Sequence, residues 1–554
     1  MNKTFIAAAL VASALQITPS SAQLMRAKDL YTKADSLRGE LTPLRSCYDV
    51  IYYHLDVKVD IDHKFISGSN LFEFKAVNDF KKLQFDLFDN LSVDKIEYKG
   101  QELDFQREYN AVYVNFPKTI KQGEIDRFKV YYSGNPVTAT RAPWDGGFDW
   151  KKDSKGNPFV ATAVQGFGAS AWWPVKDHLS DEPDSMLISA SIPKGLINVS
   201  NGRLLSTKDL NNGYVQYNWK VTNPINNYNV ALNIGNYVHF SEKYHSEKGP
   251  LDVEYYILAE NDTEQKKAHL KKNVQQTLEA FEYWFGPYPF FSDSYKIVET
   301  AHLGMEHQSA IAYGNKYQNG YLGRDGSGTG WGKKWDFIVV HESGHEWFGN
   351  NITAADLADM WIHESFTNYS EALFIDYFYG KQASSEYVHG NRKGILNDAP
   401  LQGPYGLNKE GSSDMYLKGG VLLHMIRSMI DEDTKWREIL RGLNKDFKYK
   451  QVNYSDITSY LSEKSGIDLS KVFEQYVQHT GIPTLEIKFN DKGEALARWR
   501  SEVKNFHMPI HLGNQKHKIR QTLNDEFTKI QLEGLHKDNI QVDTYNYYIQ
   551  VDII

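Results

Sequence analysis

From Cys47 onward the chain alternates: Tyr53, Leu55, Val57, Val59 and Ile61 fall on one side, His54, Asp56, Lys58 and Asp60 on the other. Successive side chains of a strand point to opposite faces, so this spacing predicts a half-buried strand. Comparable runs recur at 71–76, 82–85, 111–116, 126–132, 186–192 and 214–220, separated by Gly, Asn and Asp. Together they predict an antiparallel β domain over residues 47–242. A lead-in at 23–46, with Lys, Leu, Ala and Glu among its residues, reads as helical. After residue 258 the period changes. Leu270, Val274, Leu278 and Phe281 recur at three- and four-residue spacing within 262–285, the stripe of a helix packed on one face. Similar patterns occupy 335–348, 357–379, 384–396, 416–430, 435–443, 454–464 and 469–478, and short alternating runs return at 484–489 and 540–551. The order predicts a multidomain α+β chain: an N-terminal antiparallel β domain, a mainly helical domain over 243–480 and a small C-terminal β-sandwich over 481–554.

A chain of 554 residues exceeds what one core serves, in keeping with about three domains. Hydrophobic residues at 41% and charged residues at 24% give the balance of a folded globular protein rather than a disordered one. The net charge of −8 is spread along the chain without a basic block, which argues against a nucleic-acid partner, since phosphate binding needs clustered Lys and Arg. Residues 1–22 have the order of a signal peptide: Lys3, an apolar run over 5–15, then small Ser20 and Ala22 before Gln23. The expectation is export, to the periplasm or the extracellular space. No other apolar run has the length of a transmembrane helix. Cys47 is the only cysteine, so no internal disulfide can form and stability must come from core size.

The decisive segment is His341-Glu342-Ser343-Gly344-His345. Residues four apart on a helix share a face, so the two imidazoles point to one place, where zinc accepts neutral imidazole nitrogen at about 2.0–2.1 Å. Glu342 stands beside them, able to take a proton from water at the open coordination position. A third ligand is required. The metzincin spacing would place Gly at 348 and His at 351, but the chain has Phe348 and Asn351. A turn-like break at 349–353 and a new helical run from 357 instead offer Glu364, separated from His345 by eighteen residues. Glu371, seven residues on and so on the same face, is placed to hold an imidazole from behind.

With its flanks His341-Glu342-Ser343-Gly344-His345-Glu346-Trp347-Phe348-Gly349-Asn350, this pattern resembles the gluzincin zinc aminopeptidases of the aminopeptidase N and leukotriene hydrolase type. Gly304-Met305-Glu306-His307 is similar to the Gly-x-Met-Glu-Asn exopeptidase motif of that family, and Phe285-Gly286-Pro287-Tyr288-Pro289-Phe290 and Asp181-Glu182-Pro183 match further signatures. The resemblance covers about residues 47–480. Beyond that only a general β-sandwich is similar, and the large C-terminal helical domain of many members finds no counterpart. The resemblance implies a thermolysin-like catalytic domain with one zinc ion per chain on His341, His345 and Glu364, and Glu342 as general base and later proton donor. It implies that Glu306 grips the free ammonium group of a peptide substrate with help from Gln165, and that Gly304 and Met305 also belong to the substrate-binding site. Tyr416, in Met415-Tyr416-Leu417-Lys418-Gly419-Gly420, would stabilise the tetrahedral oxyanion. The implied activity is removal of residues one at a time from peptides with a free amino terminus.

One position departs from the family: His307 stands where Asn is usual. Three readings are open: a substitution in the pocket wall, a pH-sensitive group near the substrate, or an altered preference for the first residue. Three other functions share this fold: epoxide hydrolysis, which needs an apolar tunnel and an extra acid; a non-catalytic binding protein, which the intact ligands, base and Tyr416 argue against; and an endopeptidase, disfavoured by Glu306. The preferred first residue and the oligomeric state are not readable from scattered side chains.

Overall fold

A computed structural model describes residues 31–491 and 493–554. The signal segment expected at 1–22 and the start of the lead-in, 23–30, lie outside the described residues. The rest of the lead-in forms two short helices, Lys33–Gly39 and Pro43–Ser46. Thr32 caps the first, accepting from the Asp35 amide while Asp35 accepts from Thr32 in return.

Alternation becomes burial along Tyr48–Asp60, where Tyr53, Leu55, Val57 and Val59 are fully buried; Ile61 falls in the turn that follows. This strand pairs antiparallel with Phe65–Ala76 and parallel with Ser185–Pro193 inside an eight-stranded sheet. The sheet expected to be antiparallel is therefore mixed. Parallel neighbours need a long crossover, and residues 77–184 supply it, forming further strands on the way. Residues 242–243, the expected boundary, lie within strand Tyr237–Ser246, which pairs with Gly249–Leu258. That hairpin continues through Tyr295–Glu299 and Ile311–Tyr313 to the edge strand Gly304–Met305, making a five-stranded sheet against which the helices pack. Strand period marks faces and gives no sign of where one sheet ends.

The helix Glu264–Phe285 buries Leu270, Val274, Leu278 and Phe281 as its period predicts. The run expected as one helix over 335–348 is instead an α-helix over Phe337–Gly344 followed by a wider turn over Glu346–Asn350. Asp336 opens it, its carboxylate accepting from the Ile338 and Val339 amides. Phe348 and Gly349 leave helical geometry, Gly349 at φ +129°, a conformation that favours glycine. Helix Trp361–Tyr379 is buried from its first residue through Ile375 and lies at the centre of the domain. Asp414–Ile430 packs tightly on it, because a Cβ on Gly419 would overlap Ser365 and one on Gly420 would overlap the Asn368 amide.

C-terminal strands form two small sheets, one with Thr484–Phe489 between Ala495–Arg500 and Gln550–Ile553, the other built on Met508–Gly513. The alternating run at 540–551 is not one strand: Gln541–Val542 joins one sheet and Gln550–Ile553 the other. Between them Asp543 accepts from both the amide and the side chain of Asn546, a turn that delivers Tyr547 to the core. Helical and C-terminal residues share one continuous hydrophobic core, and the β domain has its own, which also takes in Met305, Ala310 and Ala312. Among the described residues no helix is long and apolar enough to cross a membrane.

Candidate metal centre

The helix Phe337–Gly344 carries His341, and His345 follows at its C-cap with α-helical φ and ψ, so both rings keep the one-turn spacing. Their orientation is set from behind. His341 Nδ1 lies 2.7 Å from Glu371 Oε1 and His345 Nδ1 lies 3.1 Å from the Phe348 carbonyl. Both partners can only accept, so each Nδ1 donates outward and each Nε2 faces inward. The break at Phe348 and Gly349 is what returns that carbonyl to His345. Glu371 is itself gripped by Tyr387 Oη at 2.6 Å and Asn368 Nδ2 at 3.2 Å.

Glu364, in the first turn of Trp361–Tyr379, completes the cluster. Its Oε2 lies 3.8 Å from His341 Nε2 and 3.4 Å from His345 Nε2. It is buried and has no hydrogen-bond partner among the described residues. A buried carboxylate oxygen without a donor is costly unless a cation satisfies it. Two atoms that ligate one tetrahedral zinc at about 2.1 Å are about 3.4 Å apart, so these separations fit an ion held by all three residues. Glu306, Glu342 and His345 also converge within 4.8 Å, but that set has a single imidazole, and Glu306 Oε1 is already taken by Tyr228 Oη at 3.0 Å.

The local field favours a cation. Burial opposes charge on His345, yet Glu364 and Glu306 outweigh it and raise the ring to about 10. Burial likewise opposes ionisation of Glu364, and His345 and His341 hold it down at about 2. Glu342 stands apart: burial pushes it up to about 7. Gly304 lets the edge strand lie against it, since a Cβ there would come within 2.5 Å of Glu342 Oε1.

A cavity of about 720 Å³ opens over the cluster, lined among others by Gln165, Gly304, Met305, Glu306, Glu342 and Tyr416. Tyr416 lays its ring 6.1 Å from that of His341 at 25°. Gln165 directs its amide to Glu364 Oε1 at 3.1 Å. His307 is fully buried, is not part of the cavity wall, and has no partner for either ring nitrogen among the described residues. Burial pushes its pKa down to about 3, so it stays neutral, which does not favour the pH-sensitive reading. Tyr228 and Asn350, whose Nδ2 donates to the Glu306 carbonyl at 2.9 Å, position Glu306 and were not foreseen; the Asn-rich run around Tyr228 was the one available sign.

Family sequence models match both halves of this frame: Peptidase M1 N-terminal domain over residues 49–228 and Peptidase family M1 domain over residues 271–476. The chain belongs to peptidase family M1. Within that family it is 21% identical over 454 residues to "Probable aminopeptidase 1" of Sulfurisphaera tokodaii, covering 79% of this chain and 54% of that protein. It is 24% identical over 427 residues to the leucyl aminopeptidase of Saccharolobus solfataricus, covering 74% and 51%. The chain thus spans about half the length of the curated relatives it matches. The M1 zinc metallopeptidase structure from Deinococcus radiodurans superposes with a TM-score of 0.65 at 19% identity, covering 78% of this chain and 94% of that one, which shows a shared fold. The M1 signatures have structural tasks here too: the Trp347 indole donates to the Gly286 carbonyl at 3.0 Å, and Asp181 pairs with Lys176 at 2.5 Å while accepting from the Val50 amide.

Proposed function

We propose that this M1 chain is a zinc-dependent aminopeptidase that releases the first residue of peptides, with one zinc ion per chain. The observation that carries the proposal is the buried, unpartnered Glu364 Oε2 facing two imidazole nitrogens whose rings are oriented from behind. Zinc on His341, His345 and Glu364 would, when bound, supply Lewis acidity toward the scissile carbonyl and lower the pKa of a water toward 7. Glu342 accepts the proton of the attacking water and returns it to the departing amine. Its carboxyl, raised to about 7 by burial, suits both exchanges. Glu306, buried and oriented by Tyr228 and Asn350, pairs with the substrate ammonium, and Gln165 offers its oxygen to the same group. An internal peptide segment offers that carboxylate no ammonium to pair with, which is the physical source of exopeptidase behaviour. Tyr416 donates its hydroxyl to the carbonyl oxygen as negative charge develops. A panel of aminoacyl-arylamides, assayed with and without a chelator, tests the proposal; no metal-dependent release from any of them would defeat it.

Two of the roles have their own tests. Tyr416→Phe keeps the ring against His341 and removes one oxyanion donor, so kcat is expected to fall by about 10²–10³ with KM little changed; a normal kcat would exclude Tyr416 from the chemistry. Glu306→Ala is expected to raise KM for free-amine peptides by about tenfold or more, as loss of a charge-assisted hydrogen bond does. N-acetylated peptides should feel no such loss, and an identical effect on both would remove the amine anchor.

A further inference from the structure

The two inward-facing imidazoles are supported differently. His345 Nδ1 meets the main-chain carbonyl of Phe348 at 3.1 Å, a partner that the backbone itself holds in place. His341 depends on a side chain, Glu371 Oε1 at 2.7 Å. Two rings lie roughly parallel to the His341 imidazole, Phe337 at 5.2 Å and 13° and Tyr416 at 6.1 Å and 25°. Parallel neighbours limit tilt but let a ring turn within its own plane, so the bond to Glu371 is what sets that rotation.

Glu371 must in turn be fixed. It is fully buried in helix Trp361–Tyr379, and its Oε1 is shared between His341 and Asn368 Nδ2, the latter at 3.2 Å. The other oxygen, Oε2, accepts from Tyr387 Oη at 2.6 Å, its single hydrogen bond among the described residues. Tyr387 comes from a different element, helix Lys381–Asn391, where it is buried with its ring 6.0 Å from that of Trp335. Burial and the neighbouring Glu371 push the Tyr387 hydroxyl well above its usual pKa, so it remains a donor. Its helix is tied down on both sides: Glu386 accepts from the Trp331 indole at 2.8 Å, and Lys381 pairs with Asp433 at 2.9 Å. Glu371 and Tyr387 also line the cavity of about 720 Å³, which gives the carboxylate room to turn once its second oxygen loses the hydroxyl.

We propose that Tyr387 is a positioning residue of the metal centre: its hydroxyl holds Glu371 in the orientation that fixes His341, and thereby sets how tightly zinc is retained. The inference rests on the zinc reading of the site and adds the residue that governs it from a third helix. Without that hydroxyl, Glu371 Oε2 becomes a buried carboxylate oxygen with no donor, which is costly. The carboxylate relieves the cost by rotating toward Asn368 or toward water in the cavity. His341 then loses the acceptor that orients its ring and keeps it basic. Tyr387 reaches the ion only through two other side chains, so its effect is read in zinc affinity rather than in proton transfer.

The test uses the full chain and Tyr387→Phe, which keeps the ring against Trp335. Zinc affinity is measured by competition with a chromophoric chelator, and zinc release by mixing the loaded chain with excess chelator. Tyr387→Phe is expected to bind zinc about 10- to 100-fold more weakly, as loss of a group that orients a metal ligand from behind does, and to release it faster. The rise in melting temperature that zinc produces should shrink as well, whereas a merely structural role would lower the melting points of metal-free and zinc-loaded chains alike. Glu371→Gln supplies the second variant. Its own loss should absorb that of Tyr387→Phe, leaving the double variant within about twofold of Glu371→Gln. Wild-type affinity in Tyr387→Phe, an unchanged zinc-induced rise in melting temperature, or losses that multiply in the double variant overturns the inference. Should the wild type itself bind no zinc, the metal-centre reading fails and takes the inference with it.

Discussion

Glu342→Gln is expected to keep its fold and its zinc while losing about 10²–10⁴-fold or more in turnover, the share that a positioned general base contributes. The substitution preserves shape, which matters because Gly304 brings the edge strand so close that even a Cβ would meet Glu342 Oε1. It removes the one property the reaction needs, since a neutral amide cannot take a proton from water. None of the three ligating side chains is altered, so metal content should stay at one zinc per chain. Burial pushes Glu342 up to about 7, placing its affinity for protons where a group that must accept and then return one is most useful. Turnover on a leucyl- or arginyl-arylamide, read beside metal content by mass spectrometry, checks the prediction. Normal turnover in a zinc-replete variant would take Glu342 out of the mechanism.

Residues joined by a helical period were legible in the sequence, and residues joined across the fold were not. His341 and His345 are one turn apart and Glu364 and Glu371 two, so local geometry alone brings each pair to a common face. The contact of Glu371 with His341 at 2.7 Å follows from that spacing once the two helices pack. Tyr228 and Asn350 reach Glu306 from segments far apart in the chain, and nothing in their neighbourhoods encodes a distant partner. The β domain has the same limit: alternation placed Tyr53, Leu55, Val57 and Val59 in the core, but could not say that Ser185–Pro193 would run parallel to them. Other misses were readable. Asp336 before the apolar run marks where the ligand-bearing helix begins, and the Asp543 to Asn546 spacing signals the turn that divides the last alternating segment.

Removing the metal is expected to abolish hydrolysis, and one equivalent of zinc per chain to restore it. The three inward atoms, Glu364 Oε2 and the two Nε2, are all buried and aimed at one point, so no side chain of the cluster can replace the ion in polarising a carbonyl. Loss of that restoration in His341→Ala distinguishes this arrangement from one on Glu306, Glu342 and His345, which shares His345 but does not use His341. His345→Ala supplies the control, because it removes an atom common to both sets and leaves Glu364 facing His341 alone; added zinc should not rescue it. Affinity should also fall as the pH is lowered, since both imidazoles must be neutral to ligate and protons compete with the ion. Zinc titration of chelator-treated protein, followed by arylamide hydrolysis and by metal content after dialysis, measures all of this. Full activity in metal-free protein, or recovery only at two equivalents, would mean that His341, His345 and Glu364 do not form the working site.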